Sequence, residues 1–237
     1  MNAIARSALA LEHRTITIPS ISTGHEDLDT AIGGLKCKRI YLLKGGHRHL
    51  EALIYNSMIR NSLLHDKKAV YVDCGNTLDP YAIARLCREM GADATKVLKN
   101  ILISRPFTAY QLSGLLEERL NGALEEEPVL VVFSNLLSLF EGDDVEDRDA
   151  EVILGRVIRE MKEMRSASYP LLIIHGKGGK GHLARVEEMA DTVMNIAIEE
   201  HGLKATVEKD PILHPKTLEF FHGNGAQSSL EEYFIYP

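Results

Sequence analysis

Residues 40–54 read IYLLKGGHRHLEALI and predict a strand followed by a helix. A short apolar run ends at Gly45 and Gly46, six residues follow without periodicity, and a helical pattern then resumes. A strand, a glycine-led loop and a helix in this order form the frame of a P-loop, in which backbone N–H groups hold nucleotide phosphates. The stretch therefore predicts a phosphate loop at the carboxyl end of a strand.

Residues 45–52 lack the side chains that a P-loop needs. Counted from Gly45, the motif Gly-x-x-x-x-Gly-Lys-Ser/Thr places Leu50 at its second glycine, Glu51 at its lysine and Ala52 at its hydroxyl. Leu50 puts a side chain where phosphate should approach bare backbone. Glu51 would repel the β- and γ-phosphates, and Ala52 has no oxygen for Mg²⁺. We expect a chain that is not an ATPase and uses no cofactor.

Composition sets the limits for the other functions. The 237 residues are 45% hydrophobic, which is enough for one compact domain. The net charge of −7 provides no global basic field for nucleic acid, so any DNA contact must be a local patch. Three cysteines without metal-type spacing, together with the lack of a secretory pattern, predict a cytoplasmic protein. No apolar run approaches the roughly 18 residues of a membrane span, so we expect no membrane association.

Alternation of strands and helices predicts an α/β fold. The apolar runs expected as strands cover residues 40–43, 69–73, 101–104, 129–133 and 170–175. Their continuous apolar character favours a parallel sheet with helices on both faces. Further short strands, expected at residues 192–198, 205–208 and 217–221, follow one another through turns and predict an antiparallel extension.

A glycine-rich basic segment, GKGGKGH, follows the strand expected at residues 170–175. It is predicted as a flexible loop, residues 176–182, at the strand edge where α/β proteins bind ligands. Two interpretations are equally open: contact with phosphates of DNA or a partner, or a mobile crossover. The candidate DNA-contacting residues are Lys177, Lys180 and Arg185, and binding through them should be weak and salt-dependent.

Three further motifs in the sequence resemble those of a known protein family. They are STG at 22–24 followed by Leu28-Asp29 and Gly33-Gly34, VDCGNT at 72–77, and KDP at 209–211 followed by His214-Pro215. In order and spacing they resemble the RecA/RadA recombinase superfamily, most closely the ATPase core of archaeal RadA and its paralogs, over roughly residues 13–222. The resemblance implies a RecA-like core with a mostly parallel twisted sheet, and a role in DNA repair, recombination or replication.

Measured against that family, this chain has lost its catalytic residues. The catalytic glutamate matches Gly75, the Walker B aspartate matches Ser134, and the polar sensor pair matches Ile174-His175 or His175-Gly176. Losing the phosphate lysine, both metal positions and the general base together leaves no route to stabilise the transition state. The resemblance thus implies a degenerate nucleotide site made of Gly45, Leu50, Glu51, Ala52, Gly75 and Ser134.

The C-terminal residues carry a motif of a different kind. After the glycine hinge at 223–225, Gln227, Leu230, Tyr233 and Phe234 fit the pattern Gln-x-x-aliphatic-x-x-aromatic-aromatic. This is similar to the peptide by which replication and repair proteins bind the PCNA sliding clamp. One short helical turn would place the three apolar side chains on one side as a plug. The alternative is that the aromatic side chains dock in the protein's own core. We expect a RecA-like domain at residues 1–222 and a flexible clamp-binding tail at residues 223–237.

Three functional classes follow from these observations. The favoured one is a non-catalytic RecA/RadA-like adaptor that binds PCNA, with recombinase or other repair proteins as further partners and DNA as a weak one. The second is a nucleotide-binding regulatory protein that meets phosphate through His47, Arg48 and His49 without hydrolysing ATP. The third is an enzyme of other chemistry, against which stands the lack of a Ser/His/Asp, Cys/His or metal-ligand constellation in the sequence.

Overall fold

The computed structural model describes residues 20–141, 145–176, 180–199 and 202–221. The whole predicted tail, residues 223–237, lies outside the described residues, and the clamp motif with it. Within the described part of the chain, no helix is long and apolar enough to cross a membrane.

One mixed sheet of eight strands forms the centre of the fold, in the order β10-β9-β8-β3-β7-β6-β4-β5. These strands are β3 (Ile40–Gly45), β4 (Ala69–Asp73), β5 (Ile101–Ser104), β6 (Leu130–Ser134), β7 (Leu171–His175), β8 (Thr192–Glu199), β9 (Gly202–Lys209) and β10 (Lys216–Phe221). The strands from β8 to β5 run parallel, whereas β9 and β10 add on antiparallel to the edge at β8. A separate antiparallel pair joins β1 (Ser20–Ile21) to β2 (Leu35–Lys36). The predicted fold class and the mostly parallel core are confirmed, and β9 and β10 form the antiparallel extension. The expectation that residues 192–198 belong to this extension is wrong, because β8 pairs parallel with β3.

Helices cover both faces of the sheet. They are α1 (Glu26–Ile32), α2 (His47–His65), α3 (Pro80–Glu89), α4 (Ala94–Lys99), α5 (Ala109–Gly114), α6 (Leu120–Glu125), α7 (Asp147–Met164) and α8 (Lys180–Met189). The buried side of α2 packs with α3 on one face, in a core that includes Tyr55, Met58 and Tyr71. Helices α5 and α7 pack on the other face around Phe133 and Leu154. Because each parallel strand is buried on both faces, its sequence is continuously apolar, which explains why the strands were predictable.

The helical stretch from Ala109 to Glu125 is divided into three parts. A π-helix, Leu115–Arg119, lies between α5 and α6. A turn closed by i→i+5 bonds holds more residues than an α-turn, so side chains four residues apart stay on one face. Leu112, Leu116 and Leu120 have this spacing and are all buried. Packing of these leucines accounts for the wide turn.

The loop expected over residues 176–182 is wrong in its second half, because α8 begins at Lys180. Leu183, Val186 and Met189 recur every three residues and pack against the core on the α7 side. This apolar face stabilises a helix despite the glycines of the segment. Residues 177–179 lie outside the described residues.

Candidate functional site

A cavity of about 700 Å³ opens at the carboxyl ends of the parallel strands. The first turn of α2 forms one wall, and the ends of β4, β6 and β7 contribute Gly75, Asn135 and Gly176. Ligands of open α/β sheets bind in this position, outside the carboxyl ends of neighbouring strands. The cavity is therefore the candidate functional site.

The phosphate loop predicted at this edge does not form, which corrects the sequence-based expectation. Helix α2 begins at His47, directly after Gly46, and the Leu50 N–H donates to the Gly46 carbonyl oxygen at 3.1 Å. In a phosphate loop the backbone N–H groups of this stretch would point at the ligand. From Leu50 onward they are engaged in the helix instead. The reason lies in Leu50, Leu53 and Ile54, which have helical spacing and are fully or almost fully buried.

The residues at the lysine and hydroxyl positions belong to the interior of the protein. Ala52 is completely buried, and Glu51 is only 5% exposed. A buried carboxylate is costly unless it has a partner. The partner is His47, one helical turn earlier, whose Nε2 lies 2.9 Å from Glu51 Oε1. The i,i+4 spacing of this pair was the sequence signal that could have predicted a helix here.

Asn135 joins this pair to the neighbouring strand ends. Its Nδ2 donates to His47 Nδ1 at 3.1 Å, and its Oδ1 accepts from the Gly176 N–H at 3.4 Å. The same Nδ2 also lies 3.3 Å from His47 Nε2, so it faces both nitrogens of the ring. Asn135 itself has φ 51°, a left-handed conformation that asparagine tolerates better than most residues. The local sequence around Asn135 gives no signal for this contact.

The position of the family's catalytic glutamate is closed by Asn135. A Cβ atom added to Gly75 would lie 2.7 Å from Asn135 Nδ2 and 2.9 Å from Asn135 Cβ. Such distances exclude any side chain at residue 75 unless the asparagine moves. Gly75 and Asn135 are therefore sterically coupled.

The Walker B position offers no ligand for a metal ion. Ser134 is fully buried, and its hydroxyl faces the Tyr71 hydroxyl, although neither group meets hydrogen-bond geometry. Burial raises the pKa of Tyr71 well above its ordinary value, so the phenol stays protonated. Asp73, at the end of β4, accepts from the N–H groups of Thr77 and Leu78 and pairs with Arg105 at 3.0 Å. Among the described residues, no group of three or more His, Cys, Asp or Glu side chains is placed to hold a metal ion.

The three side chains proposed to meet phosphate differ in their environments. His47 is engaged by Glu51 and Asn135. Burial lowers the pKa of His49, which favours its neutral form, and His49 Nδ1 accepts from the Ile198 N–H at 3.3 Å. Arg48 is exposed at the mouth of the cavity. Only one of the three is thus a cation turned to solvent.

A thiol also lines the cavity but is chemically inert. Burial raises the pKa of Cys74 far above its ordinary value, and the nearby Asp73 charge acts in the same direction. The thiol therefore stays protonated at neutral pH and is a poor nucleophile. This chemistry gives no support to an enzyme of other activity at the site.

Two other predicted sites, the DNA-contacting residues and the clamp motif, lie largely outside the described residues. Lys177 and the clamp motif, Gln227, Leu230, Tyr233 and Phe234, lie outside the described residues, and so does the side chain of Lys180. Arg185 is described, and its guanidinium pairs with the Glu151 carboxylate. The DNA-contacting and clamp-binding residues stay predictions.

The topology and the cleft at the carboxyl edge define a RecA-like α/β protein. The Rad51 family model matches residues 14–174, more than half of the 237 residues. The chain therefore belongs to the Rad51 family.

Two curated relatives support this assignment. The DNA repair and recombination protein RadA of Aeropyrum pernix is 27% identical over 150 residues, which are 60% of this chain and 47% of the relative. The meiotic recombination protein DMC1 homolog of Lilium longiflorum is 26% identical over 164 residues, which are 63% of this chain and 47% of the relative. The chain spans about half the length of the curated relatives it matches.

The contact between Gly75 and Asn135 generates a first prediction. Gly75→Ala should destabilise the fold by about 1–3 kcal/mol, because its methyl group overpacks against Asn135. Asn135→Gly keeps a left-handed residue but removes the clash, so Gly75→Ala should cost much less in that background. Urea unfolding of the single and double variants gives the coupling energy.

Gly114→Ala is the matched control, because nothing lies within 4 Å of a Cβ atom at that helical position. It should be neutral or stabilising. Equal costs of Gly75→Ala in both backgrounds would contradict the steric coupling.

Proposed function

We propose that this chain is a catalytically silent member of the Rad51 family that serves DNA repair or recombination as a binding adaptor. One observation carries the proposal: the residues at the catalytic positions hold one another in a closed network. Glu51 Oε1 lies 2.9 Å from His47 Nε2, Asn135 Nδ2 lies 3.1 Å from His47 Nδ1, and Asn135 covers Gly75. The family membership supports the assignment to repair or recombination.

The chemistry of phosphoryl transfer explains why this network favours a silent site. Hydrolysis of ATP requires a phosphate-binding cation, a metal ion and a group that orients the attacking water. Glu51 is an anion where the phosphate-binding cation is needed. Ala52 and Ser134 stand where the ligands of the metal ion are needed, and Gly75 has no side chain to orient the attacking water. A single loss could be compensated by a neighbour, but four losses together leave nothing to compensate with.

The second prediction is that the protein neither hydrolyses ATP nor binds Mg²⁺–ATP with micromolar affinity. Glu51→Lys alone should not restore phosphate release, because the metal ligands and the general base are still missing. Calorimetric titration and a phosphate-release assay on the full chain test this. Micromolar affinity that depends on Mg²⁺, or turnover by Glu51→Lys, would contradict it.

A nucleotide-binding regulatory protein is the second candidate, and the open cavity favours it. The space of about 700 Å³ meets the first turn of α2, where the N–H groups that precede Leu50 have no intrahelical acceptors. Arg48 lies at the same mouth. Against this candidate, His47 and His49 are engaged within the protein. Affinity for ATP that is independent of Mg²⁺ and lost in Arg48→Ala would favour this candidate over the adaptor.

We propose the PCNA sliding clamp as the adaptor's partner, bound through residues 227–234. The support is the complete sequence motif behind a glycine hinge. Burial of Leu230, Tyr233 and Phe234 contributes about 1.5–3 kcal/mol each before ordering costs. Ordering an eight-residue segment offsets much of this, so we expect a dissociation constant of about 1 μM or weaker. A trimeric clamp would then place the protein beside other repair factors at high local concentration.

The third prediction concerns the two aromatic residues of the motif. Tyr233→Ala/Phe234→Ala in the full chain should abolish clamp binding in a titration, because two of the three plug residues are removed. Ser228→Ala/Ser229→Ala is the matched control within the same segment and should bind as the parent does. The melting temperature of both variants should equal that of the parent.

Unchanged clamp binding by the aromatic double variant would refute the proposal. A large loss of melting temperature would also refute it, since the two aromatic side chains would then belong to the core.

A further inference from the structure

We propose that a groove on the opposite edge of the sheet binds a basic amphipathic helix of a partner protein. The groove lies between α6 and the C-terminal end of α7, near the starts of β6 and β7, and encloses about 570 Å³. The candidate nucleotide site lies at the other ends of these strands. We call this surface the acidic groove; its apolar residues are Leu116, Leu124, Met164, Ala167 and Tyr169, and its acidic residues are Glu125, Glu127, Glu160 and Glu163.

The floor of the acidic groove can bury apolar side chains of a ligand. Leu116 and Tyr169 are themselves buried and give the floor a fixed shape. Leu124, Met164 and Ala167 are half-buried, so each keeps apolar surface turned to solvent. Removing that surface from water would favour the binding of a ligand with an apolar face. Met164 adds adaptability, because an unbranched thioether side chain repacks easily.

The walls of the acidic groove carry charge of one sign. Four glutamates line it, and within the described part of the chain no lysine or arginine does. Glu125 and Glu163 are exposed and make no ion pair with any described residue. Glu127 pairs with Lys67 at 3.3 Å, and Glu160 pairs with Arg159 at 3.1 Å. Exposed pairs of this kind are weak and can exchange for a partner's cations.

The ends of two helices add to this negative field. The C-terminal end of an α-helix carries partial negative charge and is stabilised by cations. Here α6 ends at Glu125, and Glu160 and Glu163 stand in the last turns of α7. Lys162 is also in the last turn of α7 but does not line the groove. Both helix ends thus hold carboxylates where cations are favoured, and a cationic partner would complement both the carboxylates and the helix ends.

The surrounding topology selects a helix as the ligand. Strands β6 and β7 both lie in the interior of the sheet, each paired on two sides, so neither offers a free edge for strand addition. A bound segment gains no strand-to-strand hydrogen bonds here, and an α-helix needs none because it satisfies its own backbone groups. An amphipathic helix lying between two helices can insert apolar side chains at i, i+3 and i+7 and place basic side chains on the acidic walls. The acidic groove therefore fits a helix with an aliphatic stripe flanked by lysine or arginine.

The fourth prediction uses a synthetic helical peptide as the probe, with three leucines at i, i+3 and i+7 and four flanking lysines. The full chain carries ¹³C-methyl methionine for NMR. As the peptide is added, the Met164 methyl signal should shift until binding is saturated. The methyl signal of Met194, which is buried on another part of the sheet, should not shift. Binding should weaken as salt is raised, because the contacts involve exposed charges.

Charge substitutions supply the matched comparison. Glu125→Gln/Glu163→Gln should weaken peptide binding about three- to tenfold at low ionic strength, since two exposed charge pairs are lost. Glu26→Gln/Glu188→Gln makes the same change in net charge on α1 and α8 and should leave the affinity unchanged. The melting temperature of the groove variant should not fall, because its substitutions relieve charge at two helix ends.

Two results would overturn the proposal without relying on any variant of the protein. One is a glutamine version of the peptide that binds as tightly as the lysine version. The other is a peptide titration in which the Met164 methyl signal does not shift. Equal weakening by both glutamate double variants would also overturn it, because only net charge would then matter.

Discussion

Asn135 Nδ2 lies 3.1 Å from His47 Nδ1, and the arrangement of the cavity at the carboxyl ends of the parallel strands depends on this contact. It ties the end of β6 to the first turn of α2. Through its other amide atom, Asn135 also reaches the Gly176 N–H at the end of β7. The chain between β3 and α2 is left with no length for a phosphate loop, since Gly46 alone separates the strand from the helix.

The substituted positions act together because each depends on another. Glu51 is almost fully buried, and its Oε1 lies 2.9 Å from His47 Nε2. The His47 ring is in turn covered by Asn135, whose Nδ2 lies 3.1 Å and 3.3 Å from the two ring nitrogens. Asn135 has room because residue 75 is glycine. A side chain at residue 75 would clash with Asn135, and replacing Glu51 would remove the carboxylate that lies beside His47.

The sequence predicted the fold well and the site in part. The parallel strands are continuous apolar runs, so their positions follow from local composition, and β4 and β5 begin and end as expected. The expectation that Glu51 and Ala52 do not serve ATP rests on chemistry alone and stays a prediction. The start of α2 could not be predicted in this way, because Gly45-Gly46 is the usual opening of a loop. Helix formation there is decided by burial of Leu50 against the sheet, a contact between segments far apart in the chain.

Asn135 illustrates the same limit more strongly. Its role requires a left-handed backbone at residue 135 and the approach of Gly75 from β4, the strand beside β6. Neither is visible in the local sequence around Asn135. Similarly, the glycines near residue 180 favoured a loop, whereas the apolar stripe of Leu183, Val186 and Met189 stabilises α8.

Amide hydrogen exchange at Leu50 tests the central claim most directly. If α2 begins at His47, the Leu50 N–H is bonded to the Gly46 carbonyl oxygen and should exchange slowly. Its exchange rate should be the same with and without Mg²⁺–ATP. Fast exchange that becomes slow when Mg²⁺–ATP is added would contradict the account, because residues 46–52 would then be a mobile loop that closes on phosphate.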